Sequence, residues 1–202
     1  LARFSIWAVY GFLQGLIFTG IWVIAHECGH QAYSTSKFVN NTVGWALHSA
    51  LLVPYHSWRI SHGRHHAATG HMERDEVFVP RVREQCGRLP LIPPGQSQHV
   101  KKSTDFGPWL AELLEDMPLY NLLEIFIQQL LGWPLYLFFN VSGQPRYPAF
   151  TNHFNPNSII FDKKQFGQII VSDLGILAML SALVAWANLS TGGWGEVARY
   201  YI

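Results

Sequence analysis

Three stretches of this chain are apolar for long enough to cross a lipid bilayer. Residues 5–25 carry no charge, and only Gln14 and a few small polar groups interrupt them. At about 1.5 Å per residue, a helix there covers roughly 30 Å, the thickness of a hydrocarbon core. Residues 118–139 form the second stretch and residues 167–188 the third, with Asp173 near its start. In the second, Asn121, Glu124 and Gln128 share one helical face. A polar stripe at that depth faces a bundle interior or a cavity, through an interhelical contact or a role in substrate binding. Pro134 should kink that helix. A fourth apolar run, residues 43–58, is too short to span and contains Pro54. Runs of that length re-enter or lie in the interface, so the chain is expected to return to the side it left. The pattern predicts an all-α integral membrane helical bundle.

Composition agrees with that pattern. Of the 202 residues, 49% are hydrophobic and 13% charged, against roughly 25% charged in an ordinary soluble domain. A net charge of +1 gives no reason to expect nucleic acid. Nine of the 14 lysines and arginines fall between residues 37 and 102. Such an excess beside membrane segments marks the cytosolic side, which is assigned to residues 59–116. Residues 140–166, rich in Pro, Asn and aromatics, are then expected on the opposite side. Within them Asn140-Val141-Ser142 fits a glycosylation acceptor, a pattern that also arises by chance. Residues 89–95, with three prolines, read as an irregular loop. Two cysteines make no disulfide framework: Cys28 reads as a small packed residue and Cys86 as a plain thiol. The chain starts at Leu1 without a signal-peptide pattern and is expected to be a fragment of a longer protein.

The candidate chemistry lies in two short runs, His26-Glu27-Cys28-Gly29-His30 and His62-Gly63-Arg64-His65-His66. Neutral imidazole offers a lone pair near pH 7, which makes histidine the commonest metal ligand. On helices, His26 and His30 share a face, as do His62, His65 and His66, because neighbours there are three and four apart. If the chain re-enters at residues 43–58, both runs face one compartment, and five imidazoles converge. His48, His56, His99 and His153 read as satisfied or surface histidines, with His153 expected across the membrane. His71 would fall on the face opposite His62. The first run also reads as H-E-x-x-H, the zinc-protease signature with Glu27 as general base. Gly29 inside the helix and three surplus imidazoles count against that reading.

These runs resemble the first two histidine boxes of the membrane fatty-acid desaturase family. The stretches HECGHQAYS, NNTVGWALHSALLVPYHSWRISHGRHH and ATGHMERDEVFVP resemble the Δ12 (oleate) desaturases, with fungal-like variants at Gln31 and ATGHM. NVSGQPRYP and DKKQFGQIIVSDLGILA resemble the same group. The family's third box, H-x(2,3)-H-H, has no counterpart in these 202 residues, so further ligands are expected in sequence beyond them. The resemblance implies two iron ions held mainly by histidines, among them His26, His30, His62, His65 and His66, with O2 as co-substrate. It implies cytochrome b5 and its NADH-dependent reductase as electron donor, and an oleoyl-bearing phospholipid of the endoplasmic reticulum membrane as substrate. The expected reaction is a cis double bond inserted at position 12; an ω3 desaturase acting on linoleoyl chains is the nearest alternative. A membrane zinc protease and a non-catalytic protein with a structural metal site are the alternatives from other classes. Glu27, Glu73 and Asp75 are candidates for fixing imidazole tautomers, although Arg74-Asp75-Glu76 could equally be a solvated turn.

Overall fold

A computed structural model describes residues 2–82, 106–115 and 117–202; Cys86, His99 and residues 89–95 lie outside them. The described residues form seven α-helices: α1 (Ala2–Gly29), α2 (Lys37–Ala50), α3 (Tyr55–Ala68), α4 (Phe106–Glu115), α5 (Pro118–Phe139), α6 (Phe166–Leu189) and α7 (Gly193–Tyr200). A 3-10 turn, Lys163–Gln165, leads into α6. No strand occurs among the described residues. Three helices are long and apolar enough to cross a membrane: α1, α5, and α6 with its 3-10 lead-in. Their large apolar side chains, such as Phe4, Phe12, Leu119, Phe126 and Leu177, point outwards. That arrangement suits hydrocarbon as the surrounding solvent, because a helix satisfies its own backbone groups there.

Only Ala25 and Cys28 of α1 are buried, both near its C-terminal end. A polar knot sets the turn into α2. The Asn40 side-chain oxygen accepts from the Ser34 N–H at 2.9 Å, its amide donates to the Ser34 carbonyl at 2.6 Å, and Ser36 caps the helix. α2 has 14 residues, about 21 Å of helix and short of a hydrocarbon core. It stops at Leu51, Leu52 takes a left-handed φ of 57°, and Pro54 opens α3. Residues 43–58 are thus the end of one helix, a turn and the start of the next.

α2 and α3 form an antiparallel pair laid against α6. Trp45 donates its indole N–H to the Val171 carbonyl at 2.8 Å, and Ser49 meets Gly175 one turn further along both helices. α3 runs back along α6: the His56 N–H donates to Ser172 Oγ at 2.8 Å, and Arg59 to Gln168 at 2.9 Å. The return carries His62 to the end of α1. Close approach depends on absent side chains. A Cβ on Gly44 would strike the Tyr55 ring, and one on Gly175 would strike Ser49 Oγ and the Trp45 indole. α7 closes on the opposite half of α1, where Gln14 donates to the Tyr200 carbonyl at 2.8 Å.

Residues 140–166 correct the expectation that they lie away from the histidine runs. Ser142 and Gln144 bond to Val77, Val79 and Asp75, and Arg64 reaches the Ile160 carbonyl at 2.6 Å and Asp162 at 2.9 Å. The physical reason is the direction of α5. Its C-terminal end, not its start, comes to the histidines, where Tyr136 Oη lies 2.9 Å from Ser61 Oγ. Asn140 is buried in this contact and is therefore no accessible glycosylation acceptor. α5 is helical through Pro134.

The small-residue contact gives a direct test. Gly175→Ala should destabilise the protein by about 1–3 kcal/mol, the usual cost of overpacking. Gly195→Ala, which would meet nothing within 4 Å, serves as control. Thermal melts of the purified membrane protein in detergent should show a midpoint several degrees lower for the first variant only.

Candidate metal centre

The last turn of α1 and the second half of α3 bring four histidines together. Ligand-type atoms of His26, His30, His62 and His66 all lie within 4.8 Å of one another. The helical repeat explains the set: each pair is four residues apart, so each helix presents two rings one above the other. His26 Nε2 lies 2.9 Å from His62 Nε2, His30 Nε2 3.2 Å from His26 Nε2, and His66 Nε2 3.0 Å from His62 Nε2. Imidazoles sharing one ion at about 2.1 Å would have neighbouring nitrogens roughly 3.0–3.4 Å apart, from octahedral to tetrahedral geometry. These three contacts lie close to that range, and the four rings, all within 4.8 Å of one another, could hold one cation.

Tautomers point the same way. His26 Nδ1 is 3.0 Å from Glu27 Oε1, and a carboxylate only accepts. The proton therefore sits on Nδ1, and the Nε2 lone pair faces the group. His62 is held neutral, its pKa pushed down to about 3, by burial first and then by the neighbouring imidazoles. The same causes lower His30. The neighbouring imidazoles thus disfavour the protonated forms of His30 and His62; an ion at the centre of the group would turn the same crowding into ligation.

His65 stands apart from the four. Its Nδ1 is 2.8 Å from Asp75 Oδ1, which leaves Nε2 as the lone-pair nitrogen. Asp75 is fully buried and also accepts from the Val77, Phe78 and Gly70 N–H groups. Burial alone would raise its pKa; the hydrogen bonds, His65 first, outweigh that and hold the carboxylate below its ordinary range. The run Arg74-Asp75-Glu76 is thus not one solvated turn. Arg74 is exposed, Asp75 serves His65, and Glu76 pairs with Arg64 at 3.1 Å. Glu73 is exposed and offers its backbone: its N–H to His71 Nδ1, its carbonyl to Arg146.

Some neighbours of the site were not foreseen from the sequence. Trp58 stacks on His62 at 4.4 Å between ring centroids, and Trp22 on His26 at 5.4 Å. Each tryptophan lies four residues before its histidine, a spacing visible in the sequence. His153, expected across the membrane, is fully buried with Nε2 3.2 Å from Ser61 Oγ. His48 is fully buried against Trp22, Tyr55 and Trp58, and His56 is buried beside Tyr55. The polar stripe on α5 splits: Glu124 and Gln128 line an open cleft of about 1180 Å³ together with Phe78, Arg81 and Val141.

Fold and site together define a helical membrane protein whose histidine group could hold a metal ion. The sequence profile of the Fatty acid desaturase family matches residues 5–197, and the chain belongs to that family. Over its full length it is 50% identical to a Delta(12) fatty acid desaturase of Mortierella isabellina and, again at 50%, to one of Mortierella alpina, covering 48% of each. It is 40% identical to an oleate hydroxylase of Claviceps purpurea, with 98% of this chain and 42% of that protein aligned. The chain spans about half the length of these relatives. No solved structure matches it.

Buried neutral histidines set an acid limit on the fold. Burial pushes the pKa of both His48 and His153 down to about 4. A folded pKa below the unfolded value, about 6.5, means their contribution is complete above pH ~6.5. It is lost as pH falls toward about 4, at about 1.4 kcal/mol per unit for each ring. Melting temperature should therefore drop between about pH 6.5 and 4.5, and His153→Gln should flatten that slope.

Proposed function

We propose that the full-length protein is an acyl-lipid desaturase that converts oleoyl chains of membrane phospholipid to linoleoyl chains with O2. The observation that carries this reading is the convergence of His26, His30, His62 and His66 in a chain whose whole length aligns with two Delta(12) fatty acid desaturases. His26, His30, His62 and His66 would hold one iron, and His65, through Nε2, would contribute to a second with ligands from sequence outside this chain. Two iron ions so held would supply the O2 chemistry that removes hydrogen from two neighbouring methylenes. Electrons would come from cytochrome b5 and its NADH-dependent reductase, with the histidines on the cytosolic face of the endoplasmic reticulum.

This chain's own residues position and tune. Glu27 and Asp75 accept the Nδ1–H of His26 and His65 and so keep the lone pair of each on Nε2. Burial keeps His62 neutral and able to ligate at cellular pH. Trp22 and Trp58 lie against His26 and His62, fixing ring planes and excluding water from that side. Such placement matters because the chosen carbon pair must sit within a fraction of an ångström of its reaction geometry.

Expression of the full-length parent in a yeast lacking polyunsaturated lipids tests the reading. Mass spectrometry should find linoleate. Trienoic acid formed only from fed linoleate would establish the ω3 alternative instead. A 12-hydroxy product would follow the Claviceps relative, whose name is oleate hydroxylase. His62→Ala and His30→Ala should each abolish product while the protein stays in the membrane; activity retained in either removes that residue from the ligand set. Asp75→Asn should weaken iron binding about 10–100-fold, the usual effect of losing a ligand's orienting partner, as read by metal retention against a chelator.

A further inference from the structure

A continuous line of aromatic rings leaves the histidine group. Trp58 and Trp22, which stack on His62 and His26, are themselves 5.6 Å apart between centroids. Trp22 meets Trp133 of α5 at 6.2 Å, and Trp133 meets Tyr136 at 5.7 Å. Tyr136, only 6% exposed, ends the line in a polar pocket. Its hydroxyl is 2.9 Å from Ser61 Oγ, which lies 3.2 Å from Nε2 of the fully buried His153. Packing alone accounts for the rings but not for a hydroxyl, a second hydroxyl and an imidazole in series at the end of them.

We propose that Trp22, Trp58, Trp133 and Tyr136 form an electron-supply path by which the buried Tyr136 phenol reduces the metal centre when it has been oxidised by O2 with no acyl chain to attack. Indole and phenol are the aromatic side chains most readily oxidised by one electron, and electron tunnelling falls exponentially with distance, so ring-to-ring contact favours stepwise transfer. In each event Tyr136 loses one electron, which passes through Trp133 and the Trp22–Trp58 pair to the oxidised metal centre. The Tyr136 O–H bond breaks, its proton passes to Ser61 Oγ, and the Ser61 proton passes to His153 Nε2. The products are a neutral tyrosyl radical, an imidazolium at His153 and a metal centre reduced by one electron. His153 suits the acceptor role because its Nε2 meets Ser61 Oγ directly and burial holds the ring neutral.

The proposal rests on the iron-desaturase reading, and its test separates the two. Full-length, iron-loaded, chemically reduced protein in lipid-free detergent is exposed to O2, freeze-quenched and examined by electron paramagnetic resonance. A tyrosyl signal that narrows with ring-deuterated tyrosine is expected. It should be lost in Tyr136→Phe and fall several-fold in Trp133→Phe, with hydroxylated Trp22 or Trp58 rising several-fold in tryptic peptides of either variant. The variants' iron content reports whether the fold survives. If Tyr136→Phe loses its iron, Trp133→Phe and the peptide readout decide. Wild-type protein that binds iron and makes linoleate but shows no tyrosyl signal overturns the proposal and spares the desaturase reading. A signal that persists unchanged in an iron-replete Tyr136→Phe overturns it as well. A protein that neither binds iron nor forms product overturns both.

Discussion

Four imidazole nitrogens directed at one another, with no anion among them, are the constraint around which this molecule is arranged. His26, His30, His62 and His66 crowd their Nε2 atoms to 2.9–3.2 Å along a chain of contacts. Burial and the neighbouring imidazoles hold His30 and His62 toward the neutral form, and four such rings could hold a cation at their centre. The surrounding structure can be understood as what keeps two helix ends in that opposition. α1 supplies an anchor in the bilayer, the α2–α3 pair turns the chain back, and α6 provides the wall against which the pair is laid.

Carboxylates act one layer out. Glu27 and Asp75 each accept the Nδ1–H of one imidazole and so select the tautomer that leaves the lone pair on Nε2, facing the group for His26 and standing apart from it for His65. Asp75 can do this while fully buried because three backbone N–H groups share its charge. Arg64 sits between the histidines of the second run but points elsewhere, joining Glu76, Asp162 and the Ile160 carbonyl. One short sequence run therefore both presents imidazoles and fastens the segment that follows α5.

Much of the fold and the heart of the site were legible in the sequence because both depend on local repeats. Apolar runs of bilayer length yield α1, α5 and α6, and i,i+4 spacing yields the two histidine pairs. What was not legible depends on direction and distant contact. The lysine and arginine distribution placed residues 140–166 across the membrane because nothing local reveals which end of α5 meets the histidines. That one reversal accounts for the misplacement of His153 and for overlooking its contact with Ser61. His65 likewise shares a helical face with His62 and His66 by spacing, yet Asp75, ten residues on, draws its ring aside.

The α2–α3 pair has a consequence for the order in which the protein takes shape during synthesis. Neither helix spans a bilayer, and the hydrogen bonds that seat them on α6 join residues 126 and 116 positions apart, Trp45 to Val171 and Ser172 to His56. Domains form from the N-terminus as the chain is made. The pair must therefore wait, braced by α1 alone, while some hundred further residues leave the ribosome. The wall that α6 provides behind His62 and His66 is added last. Any metal capture by these histidines would then be a late event in biogenesis, and a ribosome stalled before α6 would leave a nascent chain with both histidine runs present and the α6 wall missing.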